Sequence, residues 1–203
     1  HEVFTATFWP EHPLGRSILG SPDSVTGISQ EALRGFFTRT YVSSNLVITA
    51  AGHLDHARLR DLIEEAFDPV KVDPDSLDLQ PPLPDPRLVV KDRELEQSHL
   101  CLGTSGYPQD HEDRYATYVL NTVFGGSMSS RLFQNVREKR GLAYAVSSGL
   151  MSYRDAGVLT VYAGCDPAAV SRVIDLIVSE LRTLRRDSVP DSELQRAKDH
   201  LKG

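Results

Sequence analysis

An arginine and a tyrosine, Arg137 and Tyr144, together could stabilise a negative charge that develops during a reaction. A phenol can donate a hydrogen bond to a carbonyl oxygen, and a guanidinium supplies a permanent positive charge. The two residues are seven positions apart, on either side of a predicted helix-to-strand turn. The alternative is a structural role, with Arg137 at a helix end and Tyr144 packed in a sheet.

Two consecutive glycines, Gly125 and Gly126, begin the segment that contains this pair, GGSMSSRLFQNVREKRGLAY. Glycine suits a loop that needs a permissive backbone or a close approach by another part of the protein. A simple turn and a contact with substrate are both open interpretations of these two residues. The pattern that follows predicts a short amphipathic helix, with apolar positions at Leu132, Phe133 and Val136.

Two blocks of the sequence resemble signatures of one protein family. The segment MSSRLFQNVREKRGLAY, residues 128–144, resembles the second-half signature of the M16 metallopeptidases. That family includes pitrilysin, insulin-degrading enzyme and the mitochondrial processing peptidases. The segment HPLGRSILG, residues 12–20, resembles a PLGR-x-ILG segment of the same family. The two blocks stand in the family's order, more than a hundred residues apart.

The resemblance implies a role for each candidate residue. In catalytic members of the family, the residues that match Arg137 and Tyr144 reach across to a zinc site in the other half of the enzyme. There they bind the substrate backbone and help to stabilise the tetrahedral intermediate. Gly125 and Gly126 stand where some members carry a longer glycine-rich substrate-binding loop. We therefore expect these four residues to bind substrate, and we assign no catalytic or metal-ligating residue within this segment.

The family's zinc motif, H-x-x-E-H followed by a further glutamate, does not occur in this sequence. In the family the motif lies upstream of the PLGR block, and this chain begins just before that block. The resemblance therefore implies that the full-length parent binds zinc and that this segment needs no cofactor. His53 and His56 are three positions apart, but no glutamate lies between them, and we interpret them as part of a solvated loop.

The resemblance implies that the parent is a zinc metalloendopeptidase that hydrolyses peptide bonds of partly unfolded peptides. This chain would supply a non-zinc, substrate-binding portion and would be inactive alone. The alternative is a non-catalytic M16 homologue that acts as a partner or structural subunit, and the upstream sequence would distinguish the two. The expected partners are a peptide or unfolded protein substrate and the N-terminal half-domain of the same protein, with a homodimer or heterodimer left open.

Composition restricts the other classes of function. The 203-residue chain has a formal net charge of −6 and no phosphate-binding loop pattern, which argues against nucleic-acid or nucleotide partners. Its apolar runs are too short to span a membrane, so we expect no membrane partner. We also expect a bacterial cytoplasmic location, with an organellar or exported one left open. Cys101 and Cys165 do not have the spacing of a zinc site, and a disulfide between them is left open.

Hydrophobic periodicity and capping residues predict alternating helices and strands. The expected helices are 1–9, 29–41, 55–67, 112–124, 166–186 and one that begins at residue 191. The expected strands are 45–51, 87–91, 98–105, 144–151 and 158–165, the last two forming a hairpin. We expect the apolar residues of the second and third helices to face a core, among them Leu33, Phe36, Phe37 and Leu62.

This order of elements predicts an α+β fold, a two-layer sandwich of an antiparallel sheet with helices on one face. Residues 1–72 would be the C-terminal part of a first M16 half-domain. Residues 73–86 would be a linker, because five prolines and four aspartates in this stretch oppose both helix and central strand. Residues 87–203 would be a second, related half-domain, truncated at its C-terminal end.

Overall fold

The computed structural model describes residues 1–68, residue 70 and residues 80–203. The chain forms two compact units, of which the first contains residues 1–16 and 81–203 and the second residues 17–80. All four candidate site residues lie in the first unit. The division into half-domains at a linker over residues 73–86 stays a prediction, and residues 73–79 lie outside the described part of the chain.

Helices make up much of the described chain. They are α1 (Glu2–Phe8), α2 (Pro22–Thr26), α3 (Gln30–Thr40), α4 (His56–Phe67), α5 (Arg114–Phe124), α6 (Val170–Arg186) and α7 (Asp191–Lys202). A π-helix, in which backbone amides bond to carbonyls five residues earlier, spans Phe133–Glu138. The predicted long helices are confirmed within a few residues at each end.

Three side-chain caps explain where helical segments begin. The side chain of Ser29 accepts a hydrogen bond from the backbone N–H of Ala32, 3.1 Å away, at the start of α3. Asp55 does the same for Arg58 of α4 at 2.8 Å. Asp166 caps the short turn that leads into α6, accepting from the N–H of Ala168 at 2.7 Å. Each cap satisfies an amide that the helix leaves without a partner.

The first unit contains an antiparallel sheet of β1 (Ser98–Gly106), β2 (Ala143–Ser152) and β3 (Gly157–Cys165). The strand order is β1-β3-β2, so that β3 lies in the centre. β2 and β3 form the predicted hairpin, and β1 pairs with the other edge of β3. The α+β class with an antiparallel sheet is therefore confirmed.

The main core lies between one face of this sheet and a layer formed by α5, the π-helix and α6. Alternate residues of β1 and β3 point into it, because successive side chains of a strand face opposite ways. The buried and partly buried members include Leu100, Leu102, Phe124, Leu132, Val136, Val161, Ala163, Val173 and Ile177. Each fully buried valine, leucine or isoleucine contributes about 1.5–3 kcal/mol relative to exposure.

The opposite face of the sheet carries a smaller core under α1. Trp9, only 1% exposed, packs there with Phe8 and Val158. Phe4 lies so close to Gly103 that a side chain at that position would force the Phe4 ring to shift. The larger helical layer is on one face as predicted, and α1 adds a contact on the other face that the sequence pattern did not indicate.

Two predicted strands, 45–51 and 87–91, are wrong. Neither segment forms a strand in the structure, and Val47 and Val90 are 90% and 82% exposed. A strand requires a neighbour that accepts and donates its backbone hydrogen bonds. No described segment forms strand hydrogen bonds with residues 45–51 or 87–91, so an apolar pattern alone does not make either segment a strand.

The second unit, taken by itself, leaves its apolar helix faces uncovered. Neither α3 nor α4 contains a buried residue, which contradicts the prediction that their apolar faces lie inside. Leu33, Phe36 and Phe37 are each more than half exposed. The reason is the small number of elements in this unit; among the described residues, the ring of Phe37 stacks on that of Tyr41, the residue that follows α3.

The two cysteines are free thiols. Cys101 is aligned with Tyr162, whereas Cys165 is aligned with Ser98, so the two side chains project from opposite faces of the sheet. This geometry excludes a disulfide between them. Among the described residues, no helix has the length and apolar character needed to cross a membrane.

Candidate functional site

The π-helix determines where Arg137 lies. Its inner side is anchored by Leu132 and Val136, which have no exposed surface. The backbone N–H of Lys139 bonds to the carbonyl of Gln134, five residues earlier, at 2.9 Å. π-helices are rare and occur frequently at functional sites. The sequence predicted a helix here, but its apolar spacing did not reveal the π geometry.

The guanidinium of Arg137 is fixed by three contacts. It lies over the ring of Phe133, with Cζ 4.7 Å from the ring centroid. Its Nε donates to the backbone carbonyl of Tyr144 at 2.9 Å, and its Nη1 lies 3.1 Å from Glu138 Oε1. The side chain is still 38% exposed. Arg137 therefore presents a positioned cation at the surface instead of closing a helix end.

Tyr144 occupies a β-bulge at the start of β2. Ala143 is aligned with Cys165 and Ala145 with Gly164, which leaves Tyr144 as the extra residue between them. A bulge redirects the side chain of its extra residue and is common next to active sites. Tyr144 is 76% exposed, so the alternative that it packs in the sheet is wrong.

The structure thus brings Arg137 and Tyr144 together at one end of β2. The tight turn that joins them uses Gly141 in the left-handed conformation, with φ of 60°. The hydrogen bond from the Arg137 side chain to the backbone carbonyl of Tyr144 fixes the position of the guanidinium relative to the start of β2. The backbone of Tyr144 thus lies beside the guanidinium of Arg137, and its phenol is exposed. A guanidinium and a phenol are each groups that can bind a carbonyl oxygen that gains negative charge.

Gly125 and Gly126 form a turn that packs tightly on β2. The carbonyl of Gly125 accepts from the N–H of Ser148 at 3.0 Å. A Cβ on Gly125 would lie 2.6 Å from that nitrogen, and a Cβ on Gly126 would lie 2.7 Å from Nδ2 of Asn121. Close packing accounts for the choice of glycine at both positions. A contact between these glycines and substrate stays a prediction.

Two carboxylates that the sequence analysis did not identify bind side chains of the segment that contains the π-helix. Arg131, two residues before the π-helix, forms a bidentate ion pair with Glu193 of α7. Asn135, within the π-helix, donates to Glu180 of α6 at 2.6 Å. The Arg131 guanidinium lowers the pKa of Glu193, chiefly through their hydrogen bond. These residues are far apart in sequence, and no local pattern relates them.

The described residues do not supply a zinc site. Across residues 1–68, 70 and 80–203, no three or more His, Cys, Asp or Glu side chains come together in a way that could hold a metal ion. His53 lies in the irregular segment before α4, and His56 is the first residue of that helix. The donor set of this part of the chain therefore does not fit zinc.

Comparison with known sequences gives a consistent family. The family model described as "Peptidase M16 inactive domain" matches residues 27–201. The protein named "uncharacterized zinc protease YmxG" of Bacillus subtilis is 36% identical over all 203 residues, which cover 49% of its length. A Streptomyces coelicolor protein, "uncharacterized zinc protease SCO5738", is 37% identical and is covered over 46% of its length. The chain thus spans about half the length of these curated relatives.

Comparison with solved structures supports the fold. The peptidase M16 inactive domain from Pseudomonas fluorescens superimposes with a TM-score of 0.92 at 23% identity, over all of this chain and 50% of that one. A protease from Helicobacter pylori superimposes with a TM-score of 0.84 at 22% identity, over 98% of this chain and 50% of that one. At these identities the likeness concerns the fold alone.

Proposed function

This chain belongs to the peptidase M16 family, and on that premise we propose that it is the substrate-binding, non-zinc portion of a zinc metalloendopeptidase. The names of the relatives support zinc-dependent proteolysis by the parent protein. The description of the matching domain as inactive supports a role for this portion other than metal binding. We propose that the zinc ligands lie in the part of the parent that this chain does not include.

The exposed phenol of Tyr144 beside the fixed guanidinium of Arg137 is the observation that carries this proposal. A bulge turns the tyrosine outward, and three contacts hold the arginine at the surface. The guanidinium is therefore positioned before a ligand arrives, which lowers the cost of binding.

In this proposal the Tyr144 hydroxyl donates to the carbonyl oxygen of the peptide bond that is cleaved. As water adds to that carbonyl, its oxygen gains negative charge, and the hydrogen bond becomes stronger. Arg137 binds a backbone carbonyl of the same substrate and supplies positive charge that needs no reorganisation. Both residues therefore contribute more to the transition state than to the ground state, which is the condition for raising kcat.

The class of substrate follows from the chemical group that Tyr144 and Arg137 would bind, which is a backbone carbonyl. Backbone carbonyls in folded proteins are already paired within helices and sheets. Only extended or partly unfolded peptides can offer a free carbonyl to Tyr144 and Arg137. We therefore propose partly unfolded polypeptides as substrates.

The test uses the full-length parent protein and an unstructured peptide substrate. We expect cleavage that a zinc chelator abolishes, and a loss of about 10²–10³ in kcat for Tyr144→Phe, which removes one donor. Arg137→Ala should also lose most of the rate. The measurement is the initial rate of peptide cleavage, with thermal unfolding to verify that each variant is folded.

Matched controls separate the site from general effects of substitution. Tyr115 is 64% exposed and lies on α5, so Tyr115→Phe removes a surface phenol outside the site. Arg60→Ala removes a surface guanidinium on α4, also outside the site. Both control variants should cleave the peptide at the wild-type rate. A parent protein that binds the peptide but never cleaves it would contradict the proposal and favour a non-catalytic partner subunit.

A further inference from the structure

The ion pair between Arg131 and Glu193 is built differently from the surface pairs of this chain. Nε of Arg131 lies 2.8 Å from Oε1 of Glu193, and Nη2 lies 2.6 Å from Oε2. The side chains are only 16% and 18% exposed. Two parallel bonds to one carboxylate fix both distance and orientation, whereas exposed pairs contribute little and remain mobile.

A second contact holds the same segment from α6. Nδ2 of Asn135 donates to Oε1 of Glu180 at 2.6 Å. The other atoms of Asn135 are also used, since Oδ1 accepts from Nζ of Lys139 and the backbone carbonyl accepts from Nη1 of Arg140. Asn135 thereby connects α6 to the residues at the end of the π-helix.

These contacts flank the apolar anchors of the π-helix. Leu132 and Val136 are fully buried, and the two carboxylates bind the residues just before them, 131 and 135, from α7 and α6. π-helices are rare and occur mostly as single turns. This one is held by its apolar anchors and, beside them, by two hydrogen-bonded contacts to carboxylates.

We propose that Arg131 and Glu193, assisted by Asn135 and Glu180, are positioning residues that keep the π-helix in the geometry that presents Arg137. The structural part of this inference stands on the contacts alone, and its consequence for turnover rests on the proposed function. The stack of Arg137 on Phe133 joins two residues of the π-helix four positions apart. A change of helix geometry over residues 133–138 would shift the backbone of Arg137 relative to Tyr144, whose carbonyl accepts the hydrogen bond from its guanidinium.

The test compares Glu193→Gln with a matched control in the full-length parent protein. Glu193→Gln keeps the size of the side chain but removes the charge and the second strong acceptor. The control is Asp61→Asn, which neutralises another arginine-bound carboxylate, paired with Arg60 on α4 in the second unit. Asn135→Leu is a second variant that removes the contact with Glu180 without touching the ion pair.

Two measurements are made on each variant. Hydrogen exchange followed by mass spectrometry monitors peptides that contain the amides of Lys139, Gly141 and Leu142, which bond to carbonyls of residues 134–137. Peptide cleavage gives kcat and KM separately. For Glu193→Gln we expect exchange in residues 133–144 to increase about tenfold and kcat to fall about tenfold with KM within about twofold, because small displacements of positioned groups mainly affect the transition state. Asp61→Asn should change neither.

The outcomes distinguish this inference from the proposed function. Unchanged exchange in residues 133–144 for both Glu193→Gln and Asn135→Leu would overturn the inference. An increase spread evenly over the first unit would also overturn it, because it would indicate a general loss of stability. Faster local exchange in a parent that cleaves no peptide would support positioning and contradict the proposed function. Faster local exchange with an unchanged kcat would limit the pair to a structural role and overturn its link to turnover.

Discussion

Gly125 determines how closely the turn after α5 approaches β2. A Cβ at this position would lie 2.6 Å from both N and Oγ of Ser148, which is well inside van der Waals contact. We expect Gly125→Ala to destabilise the first unit by about 1–3 kcal/mol, because either the turn or the strand must shift. The measurement is denaturant unfolding followed by the fluorescence of Trp9, the single tryptophan, which is buried in this unit.

Gly149, in the same strand, provides the control for this substitution. A Cβ there would meet only Oγ1 of Thr160, at 3.7 Å, which is an ordinary contact. Gly149→Ala should therefore change the free energy of unfolding by less than about 0.5 kcal/mol. Equal effects of the two substitutions would show that close packing is not the reason for glycine at position 125.

The sequence identified Arg137 and Tyr144 because they lie in one continuous motif. It could not identify the Arg131–Glu193 pair, whose members are 62 positions apart and meet only when α7 packs beside the π-helix. The bulge at Tyr144 was equally hidden, because it depends on how β2 aligns with β3. A motif identifies residues that lie close together in the sequence. Residues that only folding brings into contact leave no local pattern in the sequence.

At the scale of elements, the attachment of α7 should depend on pH. The pKa of Glu193 lies below its ordinary value of 4.5, first because of its hydrogen bond with Arg131, while burial opposes the shift. A carboxylate with a lowered pKa stabilises the fold above its unfolded pKa, and this contribution is lost as the pH falls through the folded pKa. We expect the first unit to lose stability as the pH falls below the ordinary glutamate pKa of 4.5 and on through the lowered pKa of Glu193.

The comparison with Glu193→Gln isolates this contribution from neighbouring charges. Glu180 and Asp187 also face Arg131, and Arg196 faces Glu193. The pKa of Asp187 is lowered chiefly by its hydrogen bond with Arg186, which the substitution at position 193 leaves in place. The melting temperature of Glu193→Gln should be lower at pH 7 but should decrease less between pH 5 and pH 3. Parallel pH profiles for the two proteins would contradict the assignment.

Sequence patterns predicted elements that are stabilised by near neighbours. The hairpin of β2 and β3 was predicted because both strands and their turn lie within 23 residues, from Ala143 to Cys165. The strands predicted at 45–51 and 87–91 were wrong because an apolar run does not specify a hydrogen-bonding neighbour. The π-helix was predicted only as a helix, since the apolar positions 132, 133 and 136 fit either helical geometry.

At the scale of the whole molecule, the second unit exposes several large apolar side chains. Phe36 and Phe37 of α3 are 53% and 58% exposed, and Val47 in the segment after α3 is 90% exposed. Surfaces of this kind usually bind another part of the protein or a partner. We propose that the N-terminal half of the parent covers them, as the length of the relatives suggests.

A dye that fluoresces on apolar surfaces tests this assignment. The 203-residue chain should bind several-fold more dye per mole than the full-length parent, and Phe37→Ser should lower binding to the chain. Thr38→Ser, a small change at the next position of α3, serves as the control. Equal dye binding by the chain and the parent would show that the N-terminal half does not cover this surface.

The hydrogen bond between Arg137 and position 144 has a consequence for how relatives are interpreted. Nε of Arg137 binds the backbone carbonyl of Tyr144 and not its phenol, so any residue at position 144 can retain this attachment. During evolution the tyrosine can be lost while the arginine stays in place for structural reasons. A relative that keeps only the arginine therefore need not be an active protease, and the identity of the residue at position 144 is the more informative sign of retained chemistry.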